Sequence, residues 1–442
     1  MRKVSAKHIQ WLEKELPLLE TEGVVSSETA KGIKSYYCEN TASGMHWAII
    51  AFAVLGSLLI GAGIILLFAH NWDQLSRPTR AVLSVCPLVI GSLLSIVALL
   101  KKGGVALRES AGIFHTLAIG ASIALIGQTY NIPSNMPNFF LTWTLLALPL
   151  TFLLRSSGAG LIYLALACGW SGVAQETLGY AFWFWLLILP SIGRLVSLIR
   201  TDRHAPETLL NFWSVMLTLC ISTGIVFERT VPGLWIVAYA ALLSGAGLLG
   251  IHLYSDRDGW NNPPKIFGII GMAVLAYIFT WSDMWDEIGW HHIRSGWHYR
   301  QWGPWFDGGV TLLFLAGWIV AAIKAFRRSS IETITLAVFP VIASGCFLLG
   351  LSDNDMDMVN ALIFNGFMLF LGIMYIMLGC RNIKLRQLNG GMALLALLLI
   401  TRFFDADFGF FARGIVFITL GACFLTVNLV MARRKKQKEV IS

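Results

Sequence analysis

AVLSVCPLVIGSLLSIVALLKKGGVALR, residues 81–108, decides what kind of fold this chain takes. Its first twenty residues carry no charge, and Lys101, Lys102 and Arg108 follow directly. A helix needs roughly 20 mostly apolar residues to cross a hydrocarbon core of about 30 Å. Inside that core no water meets the backbone N–H and C=O groups, so a helix must satisfy them itself. The stretch therefore reads as a transmembrane helix with a basic exit.

The same unit repeats along the chain. Apolar runs are expected to span near 46–69, 80–100, 109–128, 138–154, 157–175, 180–199, 208–227, 232–254, 265–282, 308–325, 332–351, 358–379, 388–404 and 411–432, fourteen in all. The fourth and fifth are separated only by Arg155-Ser-Ser-Gly, so one re-entrant hairpin is an alternative there. Of the 33 lysines and arginines, 26 fall in alternate gaps together with the two tails. The other 7 are Arg77, Arg80, Arg229, Arg294, Arg300, Arg402 and Arg413. Positive residues stay on the cytoplasmic side, which places both termini there.

Composition agrees. Charged residues are 13% of the chain, hydrophobic ones 56%, and the mean hydropathy is +0.68, against about 25% charged in soluble domains. The runs are continuous and lack the alternation of an outer-membrane barrel. The expected fold is an all-α polytopic bundle of about fourteen spans with a small cytosolic helical hairpin before it. The expected divisions are 1–42 (hairpin), 43–432 (bundle, with an outer aromatic loop at 283–306) and 433–442 (basic tail). The tail Arg433-Arg-Lys-Lys-Gln-Lys reads as a topology anchor drawn to anionic headgroups rather than a nucleic-acid arm. The seven cysteines form no CxxC and no outer-face pair, so neither a disulfide framework nor a zinc site is expected. The first 45 residues are hydrophilic, and the first span is expected to act as an uncleaved signal.

In the N-terminal module, Ile9, Leu12, Leu16 and Leu19 share one helical face, Gly23 ends that helix, and Ser26 or Ser27 caps a second through Ala30, Ile33, Tyr36 and Tyr37. Such a hairpin is too small for a core of its own. It is expected to pack on another subunit, a partner or the membrane surface.

LEKELPLLETEGVVSSETAKGIKSYY (12–37), Gly56-x4-Gly61-Ala-Gly63, Asn71-Trp72-Asp73, GASIALIGQTYNI (120–132) and TRFFDADFGFFARGIVFITLGACFLTVNLVMARR (401–434) together resemble a bacterial membrane-protein family, domain of unknown function 2157. The resemblance covers both ends and the early spans and leaves out about 180–330. It implies architecture and a bacterial cytoplasmic (inner) membrane. It implies no activity, because the family has none established. The hairpins 343–381 and 395–433 also echo each other, with aspartates at the turn and glycines on the returning helix, as duplication or convergence would give.

Candidate binding residues gather at the outer tips of outward-running spans: Asn71, Trp72 and Asp73; Gln128 and Tyr130; Asp283; Asp353 and Asp355; Arg402, Asp405 and Asp407, with Arg413 nearby. Ionisable groups near hydrocarbon usually face a bundle interior or a wet cavity, so these tips suggest one outward vestibule. Helix tips that merely meet water are the plainer account, and for Arg402, Asp405, Asp407 and Arg413 a salt-bridged hairpin is. The loop DMWDEIGWHHIRSGWHYRQWGPW (283–305) adds Trp290 and His291. Six tryptophans between 281 and 305 fit an interfacial helix lying flat, ahead of a platform stacking on sugars or headgroups. His291, His292 and His298 with Asp286 and Glu287 have no zinc spacing, so no metal is assigned. Asp353-Asn-Asp355-Met-Asp357 fails as a calcium loop, since Met358 stands where Gly is required and Phe364 where Glu is. Within the bilayer, His115 reads as a packing residue, Gln128 as an interhelical hydrogen bonder, and Arg194 as a side chain snorkelling to the cytoplasmic surface.

No Walker, dinucleotide, GxSxG or HExxH motif is present, so no cofactor and no catalytic residue is assigned. The favoured reading is a transporter- or flippase-like protein for a polar or lipid-linked substrate. The alternative is a non-catalytic assembly or sensory factor docking a partner through residues 1–40. A membrane-embedded transferase acting on an outer-leaflet lipid or glycan, with Asp283, His291, Asp405 or Asp407 as acid/base groups, comes third. The expected partners are the lipid bilayer, a cytosolic or membrane protein at the hairpin, and a second copy of the chain. Nucleic acid is not among them.

Overall fold

A computed structural model describes residues 6–38, 74–101, 104–228, 231–255, 259–286, 303–326, 330–351, 356–405 and 410–441. All regular structure among them is helical. The chain divides into two compact units, Met1–Leu83 and Ser84–Ser442.

The first unit holds the expected hairpin. Helix α1 (Ala6–Thr21) and α2 (Ser27–Cys38) meet through buried Leu16 and Ala30. Gly23, at φ +72°, turns the chain between them, a conformation that costs glycine nothing. Ser26 is the cap: its Oγ accepts the Thr29 N–H at 3.3 Å.

The longer helices follow in chain order: α3 (Arg77–Leu100), α4 (Val105–Thr129), α5 (Met136–Leu153), α6 (Ser157–Leu178), α7 (Phe184–Asp202), α8 (Pro206–Phe227), α9 (Leu234–Leu253) and α10 (Pro263–Ile278). Then come the single turn α11 (Asp283–Asp286), α12 (Gly303–Ala325), α13 (Ile331–Gly350), α14 (Asp357–Asn382), α15 (Leu385–Asp405) and α16 (Phe410–Ile441). Ten of them, α3 to α9 and α12 to α14, are long and apolar enough to cross a membrane. Ten helices thus qualify among the described residues, where fourteen spans were expected along the whole chain. The expected first span, 46–69, lies outside the described residues. Helix α10 has 16 residues, roughly 24 Å at 1.5 Å per residue, short of a full crossing. The last two expected stretches fall on α15 and α16.

The fourth and fifth stretches are two separate helices. Arg155, at φ +50°, turns the chain after α5, and the Ser156 Oγ caps α6 by accepting the Ala159 N–H at 3.1 Å. Asn135, Asn262 and Ser330 cap α5, α10 and α13 in the same way, accepting N–H groups at 3.0, 3.2 and 3.2 Å. Each cap satisfies a donor that hydrocarbon could not.

Glycines set the closest contacts. A Cβ on Gly268 of α10 would stand 2.3 Å from the Cα of Gly247 on α9, and one on Gly250 would stand 2.4 Å from the Lys265 backbone nitrogen. The α14–α15 hairpin repeats the device, with a Gly379 Cβ 2.4 Å from the Leu388 nitrogen and a Gly391 Cβ 2.6 Å from the Gly372 carbonyl oxygen. Small residues let backbones approach where burial alone gives helices in lipid little reason to associate. One large core joins α9, α10, α13 and α14 around Phe279, Phe339 and Phe364, and a second joins α6, α7 and α8 around Trp170, Phe184 and Phe212.

The contacts define two ends. Residues 109, 156, 194, 207, 254, 262, 265, 332 and 387 are linked at one, here the basic end. At the far end Trp185 meets Asp307, and Thr280 meets Asn365 and Arg402.

Candidate functional site

At the basic end the first turn of α6 presents backbone N–H groups with no partner inside the helix. Glu109, in the second turn of α4, fills that position. Its carboxylate accepts from the Ser157 N–H at 2.8 Å, the Gly158 N–H at 2.8 Å and the Ser156 hydroxyl at 2.6 Å. An anion at a helix N-terminus gains from the aligned backbone dipoles as well as from these hydrogen bonds. Here the anion belongs to the protein.

Arg194 of α7 closes the other side. It donates to the carbonyls of Thr151 at 3.2 Å and Ser156 at 2.7 Å, and to the Ser157 Oγ at 3.4 Å. It also pairs with Glu207 of α8 at 3.1 Å; its own side chain is 10% exposed and that of Glu207 45%. Asn211 donates to the Ser157 Oγ at 3.3 Å and to the Glu207 carbonyl at 2.8 Å. The guanidinium thus serves one carbonyl in the last turn of α5 and one at the start of α6, and does not simply reach for the surface, as snorkelling would have it. Glycines make the room: a Cβ on Gly112 would stand 2.8 Å from the Ser156 Oγ, and one on Gly160 would stand 3.0 Å from the Arg194 Nη1. Helices α4, α6, α7 and α8 are therefore fastened at one point by charge-assisted bonds, worth about 1.5–3 kcal/mol each where buried and about 0–1 kcal/mol at the half-exposed Glu207.

A second cluster shares this end. Lys265 pairs with Glu332 at 3.4 Å, and Gln387 donates to Glu332 at 3.2 Å. Asn262 donates to the carbonyls of Gly250 and Tyr254, both at 3.2 Å.

At the far end, Arg402 is the best-defined of the expected residues. Its Nε donates to Asn365 Oδ1 at 3.1 Å, its Nη2 donates to the Thr280 carbonyl, and its guanidinium lies 5.7 Å from the Trp281 ring centre. Asn365 itself donates to Thr280 O at 3.0 Å. The arginine thus ties α15 to α14 and to the turn that leads into Asp283. Asp283 is exposed and accepts from the Ser282 hydroxyl at 3.2 Å. Gln128 and Tyr130, both exposed, stand at the C-terminal end of α4. Asp405 and Arg413 are placed only as positions on α15 and α16. Asn71, Trp72, Asp73, Trp290, His291, Asp353, Asp355 and Asp407 lie outside the described residues.

The aromatic loop is less uniform than expected. Trp285 is 1% exposed and donates its indole N–H to the Phe279 carbonyl at 3.0 Å, while Trp305 is 76% exposed. His115 packs as expected, within hydrogen-bond distance of the hydroxyls of Ser92 and Ser95 at 3.3 and 2.9 Å. Among the described residues no three His, Cys, Asp or Glu side chains are grouped to hold a metal.

Residues 17–160 match the family described as Predicted membrane protein (DUF2157). No curated protein and no solved structure matches the chain. The DUF2157 match takes in Glu109 and the Ser156–Gly160 turn and stops short of Arg194, Glu207 and Asn211. The resemblance noted at 401–434 lies beyond it.

Sequence reading passed over Glu109, Glu207, Asn211 and Asn365. A usable signal did exist for the first. Glu109 is an acid at the mouth of an apolar run on the side where lysines and arginines collect, and it lies 46 positions ahead of an Arg-Ser-Ser-Gly turn that needs an acceptor. Asp307 was also missed. It is the one charged side chain among the described residues that is fully buried, and it accepts from the Trp185 indole at 3.4 Å.

Proposed function

We propose that this integral membrane protein is a transporter- or flippase-like protein for a polar or lipid-linked substrate, and that the Glu109–Arg194–Glu207 network is its closed gate at the basic, cytoplasmic face of a bacterial inner membrane. One observation carries the reading. Four helices are fastened at a single end by bonds between charges and helix termini, which can break and re-form without unfolding a helix. Glu207 reaches solvent, so water can compete for the outermost link. On this reading both termini are cytoplasmic, residues 1–42 form a cytosolic hairpin, 43–432 the bundle and 433–442 the tail. The far-end residues Arg402, Asp283 and Gln128 face the outer side, where the vestibule would open.

The test is reconstitution in liposomes. Fluorescent-lipid scrambling is read by dithionite quenching and release of polar solutes by swelling, for wild type and for Glu109→Gln and Arg194→Gln. The expected result is activity above protein-free vesicles, with rates changed in both variants. Wild-type vesicles indistinguishable from empty ones in both assays would refute it. A second reading, an assembly or sensory factor, draws on the hairpin, where Leu18 and Val24 are 57% and 67% exposed. It requires a stoichiometric partner that is lost on deleting residues 1–42.

A further inference from the structure

Gln175 lies in α6, three residues before the helix ends at Leu178. It is 2% exposed, and neither its amide nitrogen nor its amide oxygen has a hydrogen-bond partner among the described residues. Four residues earlier on the same helical face, the Ser171 hydroxyl meets the Ser222 hydroxyl of α8 at 3.3 Å. That contact identifies the face as the α6–α8 seam. Ser171 and Ser222 are both fully buried.

An amide left unpaired in an apolar interior is costly, and more so where lipid surrounds the bundle. Native structures almost always pair such groups, often with ordered water. The two ends of the amide set the chemistry of the missing partner. The oxygen needs a donor and the nitrogen needs an acceptor, so a simple ion of either sign fails. Ala174, the neighbour of Gln175, is fully buried, and Val226 of α8 is 2% exposed, so the surrounding solvent does not reach these residues. Water is the smallest molecule that both donates and accepts.

We infer that the α6–α8 seam contains a buried hydration site at Gln175, one helical turn inside the far end of the bundle and adjoining the Ser171–Ser222 pair. This does not rest on the transport reading, because a hydration site is compatible with any of the functions above. It makes Gln175 a ligand of internal water rather than a packing residue.

The test is a cryo-electron microscopy map of the full chain in nanodiscs, at a resolution where other internal waters are visible. The expected result is a single compact density within about 3 Å of the Gln175 amide, lost in Gln175→Met. The melting temperature of that variant should equal that of wild type or fall below it. No density at the amide would overturn the inference, and an elongated density would replace water with a larger solute. If Gln175→Met does not fold, the wild-type map alone decides. The melting comparison carries its own adverse outcome: a variant several degrees more stable than wild type identifies a dry amide that the protein is better without.

Discussion

Glu109 shows how much one side chain carries. Replacing it with alanine leaves the Ser157 and Gly158 N–H groups and the Ser156 hydroxyl without their acceptor. The expected cost is roughly 2–4 kcal/mol, from lost charge-assisted bonds and donors stranded in a low-dielectric site. Unfolding followed by tryptophan fluorescence in detergent measures it, and a variant as stable as wild type would remove the network from any account of stability. Glu109→Gln keeps an acceptor oxygen and should lose less. Tyr254 gives the opposite sign. Its ring is fully buried against Phe212 and His204, and its hydroxyl has no partner among the described residues. Tyr254→Phe removes only that oxygen, so a gain of about 1 kcal/mol is expected in the same measurement. A clear loss would mean that the hydroxyl is bonded.

Helix pairs are held by shape as much as by chemistry. The α9–α10 crossing depends on Gly247 facing Gly268 with nothing between the two backbones. Gly268→Ala places a methyl group where backbone already stands, and backbone yields less readily than a flexible side chain. The expected cost is about 1–3 kcal/mol, toward the upper end. Gly317 of α12 is the control, since a Cβ there meets nothing within 4 Å. Gly317→Ala should be neutral or gain roughly 0.5–1 kcal/mol, because alanine restricts the unfolded chain without strain. If the two substitutions had equal effects, close backbone approach would not be what joins α9 to α10. The Gly-Ala-Gly run at 245–247 stands out in the sequence. Its partner at Gly268 became visible only when the helices were placed side by side.

For the whole molecule, the prediction concerns sides. With 26 of 33 lysines and arginines in alternate gaps and the tails, reporter fusions at the N- and C-termini should both be protected from an impermeant label added outside intact cells. Opposite results for the two termini would break the orientation, and the assignment of the basic end to the cytoplasm with it. The network at that end would still exist, but it would face the other compartment.

Membrane insertion, helical class, the places where helices begin and end, and the charge asymmetry could all be read from the sequence. Each follows from a one-dimensional quantity: the length of an apolar run, a capping residue, a count of charges between runs. Thus Gly23 turns the chain where expected, Ser26 is the one of two candidate serines that caps, and the chain breaks at Arg155 into two helices. Which helices touch, and by which face, was not readable. In lipid every face of a span is apolar enough, so hydropathy does not encode rotation or neighbours. Glu109 finds its donors 47 to 49 residues away, and Arg402 finds the Thr280 carbonyl 122 residues away. Only tertiary packing brings those groups together, because pairing them is the way to keep charges and helix ends inside a medium that offers no hydrogen bonds of its own.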